Sequence, residues 1–535
     1  MTAPRLLPFG DRGLLIEVDT LDEVLALAEA LRATRPDGVV DLVPAARTVL
    51  VHVDPRRLSL AAARAWIVQT GDAPHVTRPP GAVVEVPIVY DGPDLEDLAD
   101  SLGVTPHALA TQHSACEWTV AFTGFAPGFA YLVSPDWPHD IPRRASPRTR
   151  VPAGAVGLAG AFAGAYPRET PGGWQLIGTT SAPLFDPDAS PPALLVPGAR
   201  VRFVPAAVAS APAAAAPTAA APEPPPSVTS GPAAAAPESP SRPVPIPRPT
   251  PALTILEPGL GATLQDLGRP GHASEGIAAS GAADRAALQT ANRLIGNAPD
   301  AAGIEITMGG LRAVASTDLW LAVAGGWGDL SVDGRRVDPY TAFRVPAGAQ
   351  VHVDWLTHGA RAVLAVRGGL DGPRVAGSLA TDTMSGLGPA PLRASDTVAL
   401  AAAAPTGPIP PDDLHPWSPP AQGDLVIDLA PGPRADWVED VGALFDRVWT
   451  VSNAADRVGI RLDGAPLTRA RTGELASEGM LPGAIQLPPD GLPVILGPDG
   501  PVTGGYPVIA VVTDASRDLL AQARPGTRIR FRHAR

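Results

Sequence analysis

The chain of 535 residues contains no lysine, so all 41 of its basic side chains are arginine. That absence excludes a Walker-A phosphate lysine, a Schiff-base lysine and a lysine carrying biotin. A single cysteine, Cys116, excludes an intramolecular disulfide and any cysteine-cluster metal site. No uninterrupted apolar run is long enough to span a bilayer, and the N-terminal "MTAPRLLPFGDRGLLIEVDT" lacks the sustained apolar core of a signal peptide. No membrane partner is therefore expected, and a cytoplasmic location is. With 54 acidic against 41 basic residues the net charge is −13, which argues against nucleic acid as a partner.

What the chain does have is concentrated between Thr123 and Gly178, in "TGFAPGFAYL", "RVPAGAVGLAG" and "AYPRETPGGWQLIG". Glycine and proline punctuate this stretch, yet it carries Phe125, Phe129, Tyr131, Phe162, Tyr166 and Trp174. The mixture suits tight turns that present rings around a concave surface. A hairpin-rich β-core in which the rings only pack is the other reading. Parts of the stretch recur: "VPAGAVGL", "AYP" and "PGARVRF" in the first half answer to "LPGAIQL", "GGYP" and "PGTRIRF" in the second. Gly154 to Gly198 is 44 positions and Gly483 to Gly526 is 43, as for one β-unit with different loops. A fainter third copy begins at "VPAGAQVHV" (Val345–Val353) and closes near "RASDTVAL" (Arg393–Leu400), so three related units are expected.

In chain order, strands over Leu14–Val18, Val39–Val43 and Thr48–Val53 and helices over Leu21–Ala33 and Ser59–Gln69 predict a small α/β sandwich. Val83–Tyr90 opens a new unit; a helix striped by Leu95, Leu98 and Leu102 ends at Gly103, and Thr105-Pro106 starts another. From Pro205 to Pro251 the composition is Ala, Pro and Ser, which predicts a disordered tether. Ser280–Asn297 reads as a helix, and the remainder as short strands with Gly and Pro turns, hence barrels or sandwiches.

Several long motifs resemble a known family. "HSACEWTVAFTGFAPGFAYL", "PRRASPRTRVPAGAVGLAG" and "YPRETPGGWQLIG" are similar to the first subunit of the 5-oxoprolinase/urea amidolyase family, also described as allophanate hydrolase subunit 1 or a sporulation kinase inhibitor. "TLQDLGRPGH", "SGAADRAALQTANRLIGN", "EITMGG", "SEGMLPGAIQLPPDG" and "VTGGYPVIA" are similar to the second subunit; Ala283 departs from the family's usual Met. The resemblance implies a natural fusion of the B and C subunits of 5-oxoprolinase. The implied fold is mainly β with α+β: a small α/β domain (1–80), a cyclophilin-like barrel (81–205), the linker (206–250) and two further such barrels (251–405, 406–535). It implies ATP-driven opening of 5-oxo-L-proline with a separate 5-oxoprolinase A subunit, and Mg²⁺ follows from that reaction class. The same modules form the carboxyltransferase of urea carboxylase, where biotin would come from another chain. A regulatory binder of histidine kinases is the third reading.

Candidate site residues follow. His113 and Glu117 could share a proton beside the Gly124, Phe125, Pro127, Gly128 turn, whose amides could receive an oxyanion. Arg143, Arg144, Arg148 and Arg150 form a basic run that could contact phosphate or carboxylate, or be solvated. Gln265, Asp266 and Arg269 sit in a Gly-rich turn, and Asp284 and Asn292 lie eight apart on one expected helix; capping and bracing is their plainer role. Glu478, Gln486, Thr503, Gly504, Gly505 and Tyr506 complete the set, with Tyr506-Pro507 expected to brace the fold as Tyr166-Pro167 does.

Overall fold

The computed structural model describes residues 4–71, 83–206 and 250–534, apart from 145, 147, 190, 403–405, 411–414, 416–422 and 474. All but the ends of the expected tether lie outside the described residues. Four antiparallel strands, ordered Arg5–Pro8, Gly13–Glu17, Thr48–Val53, Val39–Pro44, make the first sheet. The first of them is too short and too exposed to show an alternating pattern in the sequence. The helix Leu21–Ala33 starts where a capping box is available: Glu23 N–H donates to Thr20 Oγ1 at 3.3 Å, and Thr20 N–H to Glu23 Oε2 at 3.0 Å. Its Val24, Leu27, Ala28 and Leu31 bury one face of the sheet. The opposite face, through Leu7, Leu15, Val43 and Leu50, packs on Met480, Leu481, Val508 and Val511 from the far end of the chain.

The next unit is a seven-stranded sheet ordered Gln175–Thr179, Ala155–Ala159, Phe162–Ala165, Ala130–Val133, Trp118–Thr123, Arg200–Pro205, Val83–Ile88. Its two edges meet through reciprocal Val89–Thr179 backbone bonds of 2.8 Å, which curl the sheet into a barrel. The last unit is a closed seven-stranded barrel with the same ending. Arg200–Pro205 pairs parallel with the opening strand Val83–Ile88 and antiparallel with Trp118–Thr123. Arg528–His533 likewise pairs parallel with Leu425–Pro431 and antiparallel with Val448–Val451. Trp118 and Trp449 hold the same place in the two units: each indole N–H donates to the carbonyl five residues earlier, His113 at 3.2 Å and Leu444 at 3.0 Å.

The middle unit differs. Here sheets of seven and five strands enclose one core, and the closing strand Thr397–Leu400 pairs antiparallel with the opening Pro251–Pro258. The helix expected over Ser280–Asn297 spans only Arg285–Leu294. Ser280 and Gly281 have φ of 54° and 89°, which a right-handed helix cannot accept, and Asp284 is the N-cap, taking the Ala287 N–H at 2.8 Å.

Contacts between the halves run along the whole seam. Gly10 N–H donates to Pro431 O at 2.9 Å, Ala46 N–H to Ser477 O at 3.2 Å, and Phe125 N–H to Thr503 Oγ1 at 3.1 Å. Asp41 takes the Gly271 and Ala273 amides at 3.0 Å each. A tether only raises the local concentration of surfaces that already fit. With a protease site placed within residues 207–249, the cleaved halves should therefore elute together from a sizing column at micromolar concentration, and separate elution would show that this seam cannot hold them.

Candidate functional site

A two-residue strand pair lies where the N-terminal sheet, the first barrel and the last barrel converge. Glu478 pairs with Gly504 and Gly479 with Thr503. Gly479 lies against Leu50 and Val43 of the N-terminal sheet, so closely that a Cβ would come within 2.7 Å of Leu50. Gly124 lies against Thr503 with no room for a side chain, since a Cβ there would overlap the threonine hydroxyl. Phe125 takes φ of 64°, a left-handed conformation that costs about 1–2 kcal/mol for a residue with a Cβ. The N–H it presents to Thr503 Oγ1 holds it there.

Glu478 is 2% exposed. Its Oε1 accepts Nε of Arg434 at 2.9 Å and also Nη2, which reaches on to Glu17 Oε1 at 2.8 Å, so one guanidinium joins the last barrel to the first sheet. Oε2 is buried with no hydrogen-bond partner. Burial pushes the Glu478 carboxyl above its usual range despite Arg434. Beside it, burial pushes the Tyr131 phenol up to about 12, and its hydroxyl meets Ser477. Gln486 and Tyr506 line a cavity of about 210 Å³ together with Asp456 and Arg461. Gln486 ties that cavity to the strand pair, because a Cβ on Gly504 would stand 2.8 Å from its Nε2. Tyr506 is 45% exposed whereas Tyr166 is 1% exposed, so the repeated Tyr-Pro does not repeat a brace.

The structure separates the other expected clusters. His113 is fully buried among Trp118, Phe203 and Trp137, with Nδ1 2.8 Å from Tyr90 Oη and Nε2 unpartnered. Burial lowers it to about 3, so it is a neutral core ring, in the position that Leu444 fills in the last barrel. Glu117 pairs instead with Arg200 on the surface. It precedes the strand Trp118–Thr123 and the Gly124 turn follows it, so the two stand at opposite ends of about 20 Å of chain. Within the turn three amides are already taken: Gly124 N–H bonds Phe129 O, Phe125 N–H bonds Thr503, and Ala126 N–H bonds Gly124 O. Its rings pack edge to face on one another, with Phe129 5.0 Å from Tyr166 and 5.3 Å from Trp174, and form a core.

Arg144 and Arg148 both bind Asp94 Oδ1, at 2.7 and 2.6 Å, while Oδ2 takes the Leu176 N–H at 2.7 Å. Burial alone would raise the Asp94 carboxyl, but Arg148, the Leu176 amide and Arg144 hold it below the usual range. Arg150 is paired with Glu169 at the surface. Asp266 braces a turn through Gly268 N–H, Ser378 Oγ and Leu379 N–H. Gln265 and Arg269 are buried beside it, bonded to the Thr381 and Ala380 carbonyls. Asn292 holds Ala301 O and Asn297, and Asp284 Oδ2 takes Gln522 Nε2 at 2.6 Å. Sequence reasoning missed Arg434 and Glu17, which come from opposite ends of the chain and carry no local motif.

Residues 4–195 match the family model described as carboxyltransferase domain, subdomain C and D, and residues 275–533 match carboxyltransferase domain, subdomain A and B. The chain is 42% identical to the 5-oxoprolinase B subunit of Escherichia coli O157:H7 over 181 residues, 33% of this chain and 82% of the relative. It is 36% identical to the 5-oxoprolinase C subunit of Escherichia coli K12 over 292 residues, 52% of this chain and 90% of the relative. A urea amidolyase of Lachancea kluyveri is 31% identical over 311 residues, 52% of this chain and 17% of the relative. The crystal structure of TTHA0988 superposes with a TM-score of 0.81 at 34% identity, covering 97% of this chain and 99% of that one. The fold and the joined halves thus define a carboxyltransferase-domain protein. The chain belongs to the 5-oxoprolinase/urea amidolyase family, with a half like the B subunits fused to a half like the C subunits.

Two substitutions test this geometry. Gly124→Ala should force Thr503 away and lower stability by about 1–3 kcal/mol in chemical denaturation, the usual cost of overpacking. Burial raises Asp284 to about 6 from 3.8. The folded state thus holds this proton more tightly, so the stability Asp284 contributes is complete below about pH 4 and is lost as the pH rises through 6, on the order of 3 kcal/mol. Denaturation of Asp284→Asn across that window should show a slope smaller by about one proton.

Proposed function

We propose that the chain is the combined B–C component of an ATP-dependent 5-oxoprolinase, which opens 5-oxo-L-proline to L-glutamate together with a separate A subunit. The observation that carries the reading is Glu478, a buried carboxylate with one oxygen fixed by Arg434 and the other unpartnered, at the joint between the B-like and C-like halves. A lactam presents an N–H beside its carbonyl. Glu478 Oε2 accepts that N–H, and Gln486 offers its amide N–H from the adjoining cavity to the carbonyl. The raised affinity of Glu478 for a proton suits it to hold the ring proton and return it as the C–N bond opens.

Opening a lactam with ATP needs cations for the phosphates. Arg144 and Arg148 pair with Asp94 and Arg150 with Glu169, while Arg148 Nη1 and Arg269 Nε and Nη1 are buried without a hydrogen-bond partner. Among the described residues no three His, Cys, Asp or Glu side chains group to hold a metal ion. This reading needs ATP and Mg²⁺ at the assembled enzyme, with the separate polypeptide completing their site. A second reading, a carboxyltransferase of the urea carboxylase kind, is favoured by the matched domain models. Without lysine, its biotin would arrive on another chain.

The test is to follow glutamate and ADP with 5-oxoproline, Mg²⁺ and ATP, with and without the A subunit. Glutamate should appear only with both chains, and Glu478→Gln should lower its rate by roughly 10²-fold or more. Stoichiometric glutamate from this chain alone would overturn the division of labour, and no stimulation by the added polypeptide would favour the carboxyltransferase reading.

A further inference from the structure

We infer a second, separate site in this chain, for a small oxyanion of the carboxylate or phosphate class, in the cavity between the N-terminal sheet and the second half. The cavity measures about 160 Å³, and its ionisable lining is Arg12, His52, Arg285, Arg517 and Asp41. A single water needs only about 10–15 Å³ of such space, so the cavity admits a ligand of several atoms. The acids that neutralise the arginines stand behind them. Asp11 accepts Arg12 Nη1 at 2.7 Å, Asp514 accepts Arg285 Nη1 at 2.8 Å and Arg517 Nη1 at 3.1 Å, and Asp518 accepts Arg285 Nε at 3.0 Å. None of those three acids lines the cavity. Asp41, which does, has both oxygens capped by the Gly271 and Ala273 amides, and its burial favours the protonated form.

The face turned to the cavity is therefore basic and partly dry, with the balancing acids set behind it. Burial, Arg12 and Arg285 pull the Arg517 guanidinium down to about 9, against the opposing Asp514. Burial, Arg12 and Arg517 pull His52 down to about 3. Arg285 uses its fork on Asp514 and Asp518 and Arg12 bonds Asp11 and the Val512 and Pro482 carbonyls, so Arg517, bonded through Nη1 to Asp514, is the donor for an oxyanion that offsets the repulsion of all three. Neither the Glu478 joint nor the Gln486 cavity shares its ionisable residues, so this site is independent of the proposed reaction.

Calorimetric titration of the full chain with inorganic phosphate, and separately with acetate, tests the inference. Saturable binding of at least one is expected, and the tighter of the two names the class. Arg517→Met should weaken it about tenfold or more. Ala279→Leu, which fills the cavity while keeping every ion pair, should weaken it as much and guards against a folding defect in the first variant. Glu478→Gln should bind as the parent does. Absence of saturable binding in the parent, unchanged binding in Ala279→Leu, or an equal loss in Glu478→Gln would each overturn the site.

Discussion

A guanidinium taken out of water must find carboxylates or carbonyls for its donors, and this chain places such groups at the joints between its units. Arg434 bridges Glu17 and Glu478, and so ties the first sheet to the last barrel. Arg457 binds Glu305 at 2.6 Å and Asp499 at 2.9 Å, tying the middle unit to the last. Arg12 reaches the Val512 and Pro482 carbonyls from the opposite end of the chain. Removing one partner of a buried pair costs about 3–5 kcal/mol because the other is stranded. Each joint is thus intolerant of partial assembly, and the apolar contact of Leu15 and Leu50 with Met480 and Val511 forms under the same alignment.

The relative placement of units also decides what Glu478 can do. Arg434 links this carboxylate of the last unit to Glu17 of the first sheet. In the assembled chain it is buried, with Gly479 against Leu50 and Val43 of the N-terminal sheet, and burial raises its proton affinity.

Local signals were legible where the physics is local. The helix Leu21–Ala33 and the Thr105-Pro106 start appear as read, because caps and apolar spacing are set by neighbours in sequence. The paired "PGARVRF" and "PGTRIRF" mark strands with one topological role, parallel to the opener of each barrel. The Gly124–Thr503 and Glu478–Gly504 contacts join residues that were candidates singly, although nothing in the sequence says that they touch. His113 misled because a histidine before a carboxylate looks like chemistry, yet its ring serves the core as Leu444 does. The pairing of Arg144 and Arg148 was not legible because Asp94, their shared partner, lies about 50 positions upstream at the start of another helix.

The parallel pairing of first and last strands has a topological consequence. Residues 200–205 run parallel to 83–88 in register, and Ala206 N–H bonds Ile88 O at 2.8 Å, so the chain leaves the first barrel at the opposite end of this strand pair from where it entered. A parallel pair cannot be joined by a hairpin, so all of residues 89–199 must be threaded between the two strands that close the barrel. In the first barrel and the last alike, closure is therefore a contact between strands distant in sequence, the kind of contact that slows folding.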